Sequence, residues 1–102
     1  MTRREKIEAM LADSPDDVFL RYALAMELEN DEEHEKSLEL HNGLIQGDPP
    51  YVPSFFMSGK QLSAINRTDE AIEILKAGIS EAQKQNDAHA AREMQEFLDM
   101  IQ

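Results

Sequence analysis

Apolar residues recur along the chain at intervals of three and four: Ile7, Met10 and Leu11, then Leu20, Leu24 and Leu28, then Leu38, Leu44 and Ile45. That spacing is the period of an amphipathic helix, and no stretch alternates as a half-buried strand does. Three of the four prolines fall in Asp48-Pro49-Pro50-Tyr51-Val52-Pro53, so helix-breaking chemistry is concentrated at one place. The expected fold class is all-α.

Capping chemistry divides the chain into about six helices. Thr2-Arg3-Arg4-Glu5 places a threonine three residues before a glutamate, a pair that satisfies two orphan amides reciprocally, and predicts a helix over about 3–12. The turn Ser14-Pro15-Asp16-Asp17 introduces a second helix to about Glu29, with acids at its positive end. A third runs from about Glu33 to Gln46, where Gly47 is expected to take the left-handed conformation and Pro49 forbids continuation. Val52 to Ile65 forms a fourth, with Pro53 in its first turn, and Thr68 is expected to cap a fifth through about Lys84. Asn86-Asp87 opens a sixth that reaches the C-terminus; without the break at 85–87, the last two would be one long helix.

An internal repeat overlies this pattern. Pro15 and Pro49 are 49 − 15 = 34 residues apart, and the same offset pairs Val18 with Val52, Tyr22 with Phe56, Ala25 with Gly59, Leu28 with Leu62, Ser37 with Ala71, Leu38 with Ile72 and Ile45 with Ile79. The small residues let two helices cross closely, Ala25 against Ser37 and Gly59 against Ala71, while the larger apolar positions fill the space around each crossing.

The pattern resembles the tetratricopeptide repeat: Leu24, Ala25, Leu28, Ser37, Leu44 and Pro49 occupy its places in one unit, and Gly59, Leu62, Ala71, Leu75 and Gly78 in the next. Departures are Arg21 at a first-helix aromatic position, His41 at a second-helix one, Ser58 for a leucine and Gln83 for a proline. The resemblance implies a right-handed stack of antiparallel helix pairs in a single domain, residues 1–102. A leading half-unit spans 1–15, units span 18–51 and 52–85, and a capping helix spans 86–102. It further implies an inner, concave surface that binds a peptide or a partner helix, carried here by Phe19, Tyr22, Met26 and Glu29 from one unit and Phe56, Lys60 and Ser63 from the next. Tyr22 and Phe56, counterparts at the offset, should sit side by side. Relatives that grip a C-terminal carboxylate use Lys and Asn where this chain has Tyr22 and Met26, so that specificity is not inferred. Tyr22 and Phe56 either anchor a partner or pack against the terminal helices of so short an array.

Charge narrows the partners. Ten Lys and Arg against 21 Asp and Glu give a net charge of −11, which repels phosphate backbones and anionic membranes; no nucleic acid and no membrane partner is expected. A protein or peptide with basic flanking residues suits such a surface better. The alternative is a homodimer in which apolar faces of the terminal helices drive self-association. Cysteine is absent, which removes disulfides and thiolate chemistry and leaves the redox compartment undetermined. The N-terminal residues lack the apolar run of a signal peptide and no stretch approaches a membrane span, so a cytoplasmic setting is expected.

Other candidate chemistry reads as structure. Asp31-Glu32-Glu33-His34-Glu35 lacks the spaced ligands and central glycine of a calcium loop and suits a solvated turn better than a metal site. No nucleophile elbow, H-E-x-x-H pair or glycine-rich phosphate loop occurs, so neither an enzyme nor a cofactor is called for. His41 sits three residues from both Leu38 and Leu44, on a buried face, and reads as a hydrogen-bonded core histidine. Pro49-Pro50-Tyr51-Val52-Pro53 lies at the junction between units, which favours a packed turn over an exposed polyproline ligand, and Met94 and Met100 suit core filling or a soft contact surface.

Overall fold

Thr2 Oγ1 accepts from the Glu5 amide at 3.1 Å while Glu5 Oε1 accepts from the Thr2 amide at 2.9 Å, and α1 (Arg3–Asp13) begins at this reciprocal cap. The computed structural model describes residues 1–102, and five further helices follow: α2 (Val18–Asn30), α3 (His34–Ile45), α4 (Val52–Ala64), α5 (Thr68–Lys84) and α6 (Ala88–Ile101). Asp17 caps α2 by accepting from Leu20 N at 2.9 Å, and Asp87 caps α6 by accepting from Ala90 N at 3.1 Å. The break between α5 and α6 is real, and all six helices start and stop within about two residues of their sequence-based bounds.

Three turns share one construction. After α2, α4 and α5 the chain passes through a left-handed residue, Glu32 (φ 60°), Asn66 (φ 65°) and Asn86 (φ 61°). The next amide then reaches back five residues: Glu33 N to Leu28 O, Arg67 N to Leu62 O and Asp87 N to Ala82 O, each at 2.8 Å. This is the Schellman closure. The residue that makes it is also the N-cap of the following helix, so each connection, 31–33, 65–67 and 85–87, takes only three residues.

Two expectations are corrected by this geometry. Thr68 does not cap α5: the N-cap is Arg67, whose amide is committed to Leu62, and Thr68 already lies inside the helix. Arg67 instead donates to Glu70, in the first turn, at 2.6 and 2.8 Å. Gly47 is not left-handed, since no glycine has positive φ. The Leu44 carbonyl accepts from both Gly47 N at 3.2 Å and Tyr51 N at 3.0 Å, and the chain then crosses to the next pair through residues 46–51, where no tight reversal is needed.

Each helix packs against its sequence neighbour, and α4 also meets α6, in a body of 40 × 29 × 18 Å. The larger apolar core lies between α4, α5 and α6, from Val52, Phe55, Leu75, Ala82, Ala91, Met94 and Leu98. Ile7, Ala25, Leu28 and Leu44 are buried in the first half. Ser37 Oγ donates to the Ala25 carbonyl at 2.7 Å, which closes the α2–α3 crossing. Ala71 is fully buried, but the side chain that presses on Gly59 is Leu75, one turn further along α5 than the expected partner.

Candidate partner-binding groove

Between α2, α4 and α6 the surface opens into a groove. A cavity of about 250 Å³ is walled by Tyr22 from α2, Val52, Phe56 and Met57 from α4, and Ala90, Glu93 and Met94 from α6. A second, of about 200 Å³, is walled by Phe56, Glu93, Glu96, Phe97 and Met100. Phe56 and Glu93 belong to both.

Of the residues named from sequence, Tyr22 and Phe56 line the same cavity, but each ring is braced by other neighbours. Tyr22 is edge-on to His41 (centroids 5.6 Å apart) and to Tyr51 (5.3 Å). Phe56 is edge-on to Phe97 (6.1 Å), and Lys60 Nζ stands 4.2 Å from its centroid. Phe19 leans on Tyr51 at 6.3 Å, remains 74% exposed and lies outside both cavities. Met26, Glu29 and Ser63 are half-buried and line neither.

Sequence reasoning missed the contribution of α6. The offset from Val52 to the start of α6 is 88 − 52 = 36 residues, against 52 − 18 = 34 between α2 and α4, because α5 has 17 residues where α3 has 12 and the turn after it is shorter. The groove keeps the 34-residue register all the same: Phe56, Lys60 and Ser63 carried forward by 34 give Ala90, Met94 and Phe97, which line the two cavities, so the offset taken one unit further finds this wall. A second available signal was the strong amphipathic pattern Ala91, Met94, Phe97, Leu98, Ile101 on the last helix.

Behind the groove lies a polar layer that joins α3 to α4. His41 is fully buried, with Nδ1 3.0 Å from Ser54 Oγ, while its Nε2 has no partner. Burial pushes its pKa down to about 4, so the ring is neutral near pH 7 and supports Tyr22 from beneath. Ser37 Oγ also lies 3.1 Å from Gln61 Oε1, and Gln61 Nε2 lies 2.9 Å from His34 Nδ1. Ser54, Ser58 and Gln61 are buried on α4. Burial, then the neighbouring Tyr51 and Glu29, raises the Tyr22 pKa, which keeps its phenol protonated and able to donate.

The acidic turn is tied into the fold. Arg4 pairs with Asp31 at 3.2 Å and with Glu33, Lys36 pairs with Glu33 at 3.0 Å, and Arg67 pairs with Glu35. Lys36 and Arg4 hold the Glu33 carboxyl below its ordinary value. The proline-rich junction is likewise a packed turn: Tyr51 touches Phe19 and Tyr22, and Gln85 Nε2 donates to the Pro50 carbonyl at 2.8 Å. No helix is long and apolar enough to cross a membrane.

No protein-family model matches the sequence, and no curated protein matches it significantly. Solved structures do. A tetratricopeptide repeat domain protein from Salinibacter ruber, in its solution structure, is 32% identical over 86% of this chain and 89% of its own, with a TM-score of 0.80. The crystal structure of a tetratricopeptide repeat domain protein from the same organism gives 31% identity over 84% of this chain and 96% of its own, with a TM-score of 0.75. A solution structure of a protein from Bordetella parapertussis is 27% identical over 99% of this chain and 88% of its own, with a TM-score of 0.84.

Proposed function

The chain belongs to the tetratricopeptide repeat family, and from that premise we propose that it is a non-enzymatic interaction module that binds a peptide or partner helix in the groove between α2, α4 and α6. Units 18–51 and 52–85 supply the first two walls, and the helices within 1–15 and 86–102 close the ends of one domain. In this reading Tyr22 and Phe56, which line the cavity, are the anchors, and Phe19, Met26, Lys60 and Ser63, which line neither cavity, meet the partner beyond them. The observation that carries it is the cavity those two rings share: each is fixed by aromatic neighbours, so little side-chain freedom is lost when a partner packs on them.

Self-association is the competing reading. Both terminal helices expose mainly charged and polar side chains, Arg3, Glu5, Lys6 and Glu8 beside Met10 on α1 and Arg92, Gln95 and Asp99 beside Met100 on α6. That balance favours a stack with a free groove over a building block that extends by its ends. Affinity capture tests the groove, with wild-type chain and a Tyr22→Ser, Phe56→Ser double variant of verified helicity as baits. A protein held by the wild type and lost by the variant supports the reading; equal retention by both baits places the interface elsewhere.

A further inference from the structure

Phe56 stands between the two cavities, so the groove holds a pair of small apolar depressions. At about 250 and 200 Å³ each falls below the roughly 300–1,000 Å³ of small-molecule sites and suits one side chain. Along their α6 edge runs negative charge that the fold leaves largely unneutralised. Glu93 meets only His89, at 3.1 Å, and Glu96 takes part in none of the chain's ion pairs. Three acids around the α2–α3 turn differ, since Arg4 pairs with Asp31 and Glu33, and Arg67 pairs with Glu35, while Glu32 of that turn is unpaired. The cation at the groove, Lys60, is held over the Phe56 ring.

Resting on the reading of this groove as a peptide site, we propose that its occupant is a basic segment of a partner protein that seats two large apolar side chains, one on each side of Phe56, and lays a Lys or Arg along Glu93 and Glu96. The depressions supply apolar contact area, and the carboxylates supply charge complementarity that steers encounter and sets orientation. Glu93, Glu96 and Met100 are exposed, so changing them leaves the core of the α4–α5–α6 layer intact.

A phage-displayed random peptide library panned against the full chain tests this directly. The expected consensus has two large apolar residues with Lys or Arg beside them. Synthetic consensus peptides should then bind about tenfold more weakly to the Glu93→Lys, Glu96→Lys variant at low salt, with the difference shrinking at high salt, and the variant should select peptides with Asp or Glu flanks. Met100→Ser should lower affinity for two-anchor peptides by about tenfold and leave one-anchor peptides unaffected. Selection of acidic or uncharged flanks, of a single anchor, or of the same consensus by the charge-reversed variant overturns this inference while leaving the peptide site standing. Absence of any enriched peptide overturns the site and the inference together. A dimer that dissociates on Met100→Ser would put a second copy in the groove and also overturn it.

Discussion

Gly78 of α5 lies directly against Phe55 of α4: a Cβ on the glycine would come 2.5 Å from the Phe55 Cβ, and 2.7 Å from Met94 Sδ. The Phe55 Cβ is fixed to its backbone, so the three-helix layer would have to spread. Gly78→Ala should destabilise by about 1–3 kcal/mol. At Gly59 the obstacle is Leu75, with Cγ and Cδ2 both at 2.6 Å and its side chain fully buried in the same layer, so Gly59→Ala should also destabilise by about 1–3 kcal/mol. Gly43 meets only the tip of Arg21, at 2.8 Å, and Gly43→Ala should stabilise by about 0.5–1 kcal/mol through helix propensity. Urea denaturation of the three variants checks the signs, and the opposite sign for Gly43 is the sharpest part.

Glu32 occupies a left-handed position where Asn66 and Asn86 hold the equivalent places in the other two turns. A side chain of its type costs roughly 1–2 kcal/mol there, and Glu32 makes no ion pair that would be lost. Glu32→Gly should therefore raise stability by about 0.5–1 kcal/mol after the entropy of the glycine is subtracted. The midpoint in urea should rise with no change in slope. Asn66→Gly and Asn86→Gly should gain less, because asparagine tolerates this conformation.

The contrast between these turns shows what was legible in sequence. Thr2 and Glu5 cap α1 through contacts confined to four residues, and such a box can be read directly. Which residue turns left-handed is decided by the return hydrogen bond to Leu28, Leu62 or Ala82 and by how soon the next helix must start, so Gly47 had the right chemistry at a connection with no tight reversal. The 34-residue offset located the counterparts Tyr22 and Phe56, and one step further it reaches Ala90 on the α6 wall of the same cavity; that wall stays unread when α6 is treated as a capping helix and not as the start of a third unit. Ser54 and Gln61 read as solvent-facing on polarity alone, whereas Ser58 stands at a leucine position of the repeat, and all three are buried. The first two are inside because α3 offers His41 and Ser37 as hydrogen-bond partners to Ser54 and Gln61, a match visible only across two helices.

His41 makes stability depend on pH in a defined window. Burial lowers its folded-state pKa from 6.5 to about 4, so below pH 6.5 the unfolded chain takes up a proton that the folded chain refuses. Stability is intact above pH 6.5 and falls as the pH drops toward 4, by on the order of 3 kcal/mol across that gap. Glu33 and Glu70, held below their ordinary 4.5 by paired cations, lose their contribution only at lower pH. Urea melts between pH 7 and 4.5 should show the decline in the wild type and a flatter profile for His41→Gln, which can still hydrogen-bond to Ser54. An identical slope in both would show that His41 is not the titrating group.

Tyr22 and Phe56 wall one cavity from different helices, yet Tyr22 is braced by His41 and Tyr51, and Phe56 by Phe97 and Lys60. Their effects on folding should accordingly be independent: unfolding free energies of Tyr22→Ala and Phe56→Ala should add to within about 0.5 kcal/mol, whereas Phe56→Ala with Phe97→Ala should couple by about 0.5–1.5 kcal/mol. Binding is a different matter. A ligand side chain in the shared cavity touches both rings, so each alanine should weaken partner binding by about 1–3 kcal/mol, and the two should couple through the ligand although they do not couple in the free chain. Lys60→Gln should cost about 0.5–1 kcal/mol of stability by removing the cation from the Phe56 ring. It should also strengthen binding of a basic segment at low salt, since it removes a positive charge from the groove. Full-strength binding by a folded Tyr22→Ala, Phe56→Ala chain would move the interface away from this groove, and the separate hollow walled by Leu38, Ile45, Leu62 and Ile74 of α3, α4 and α5 would be the next surface to test.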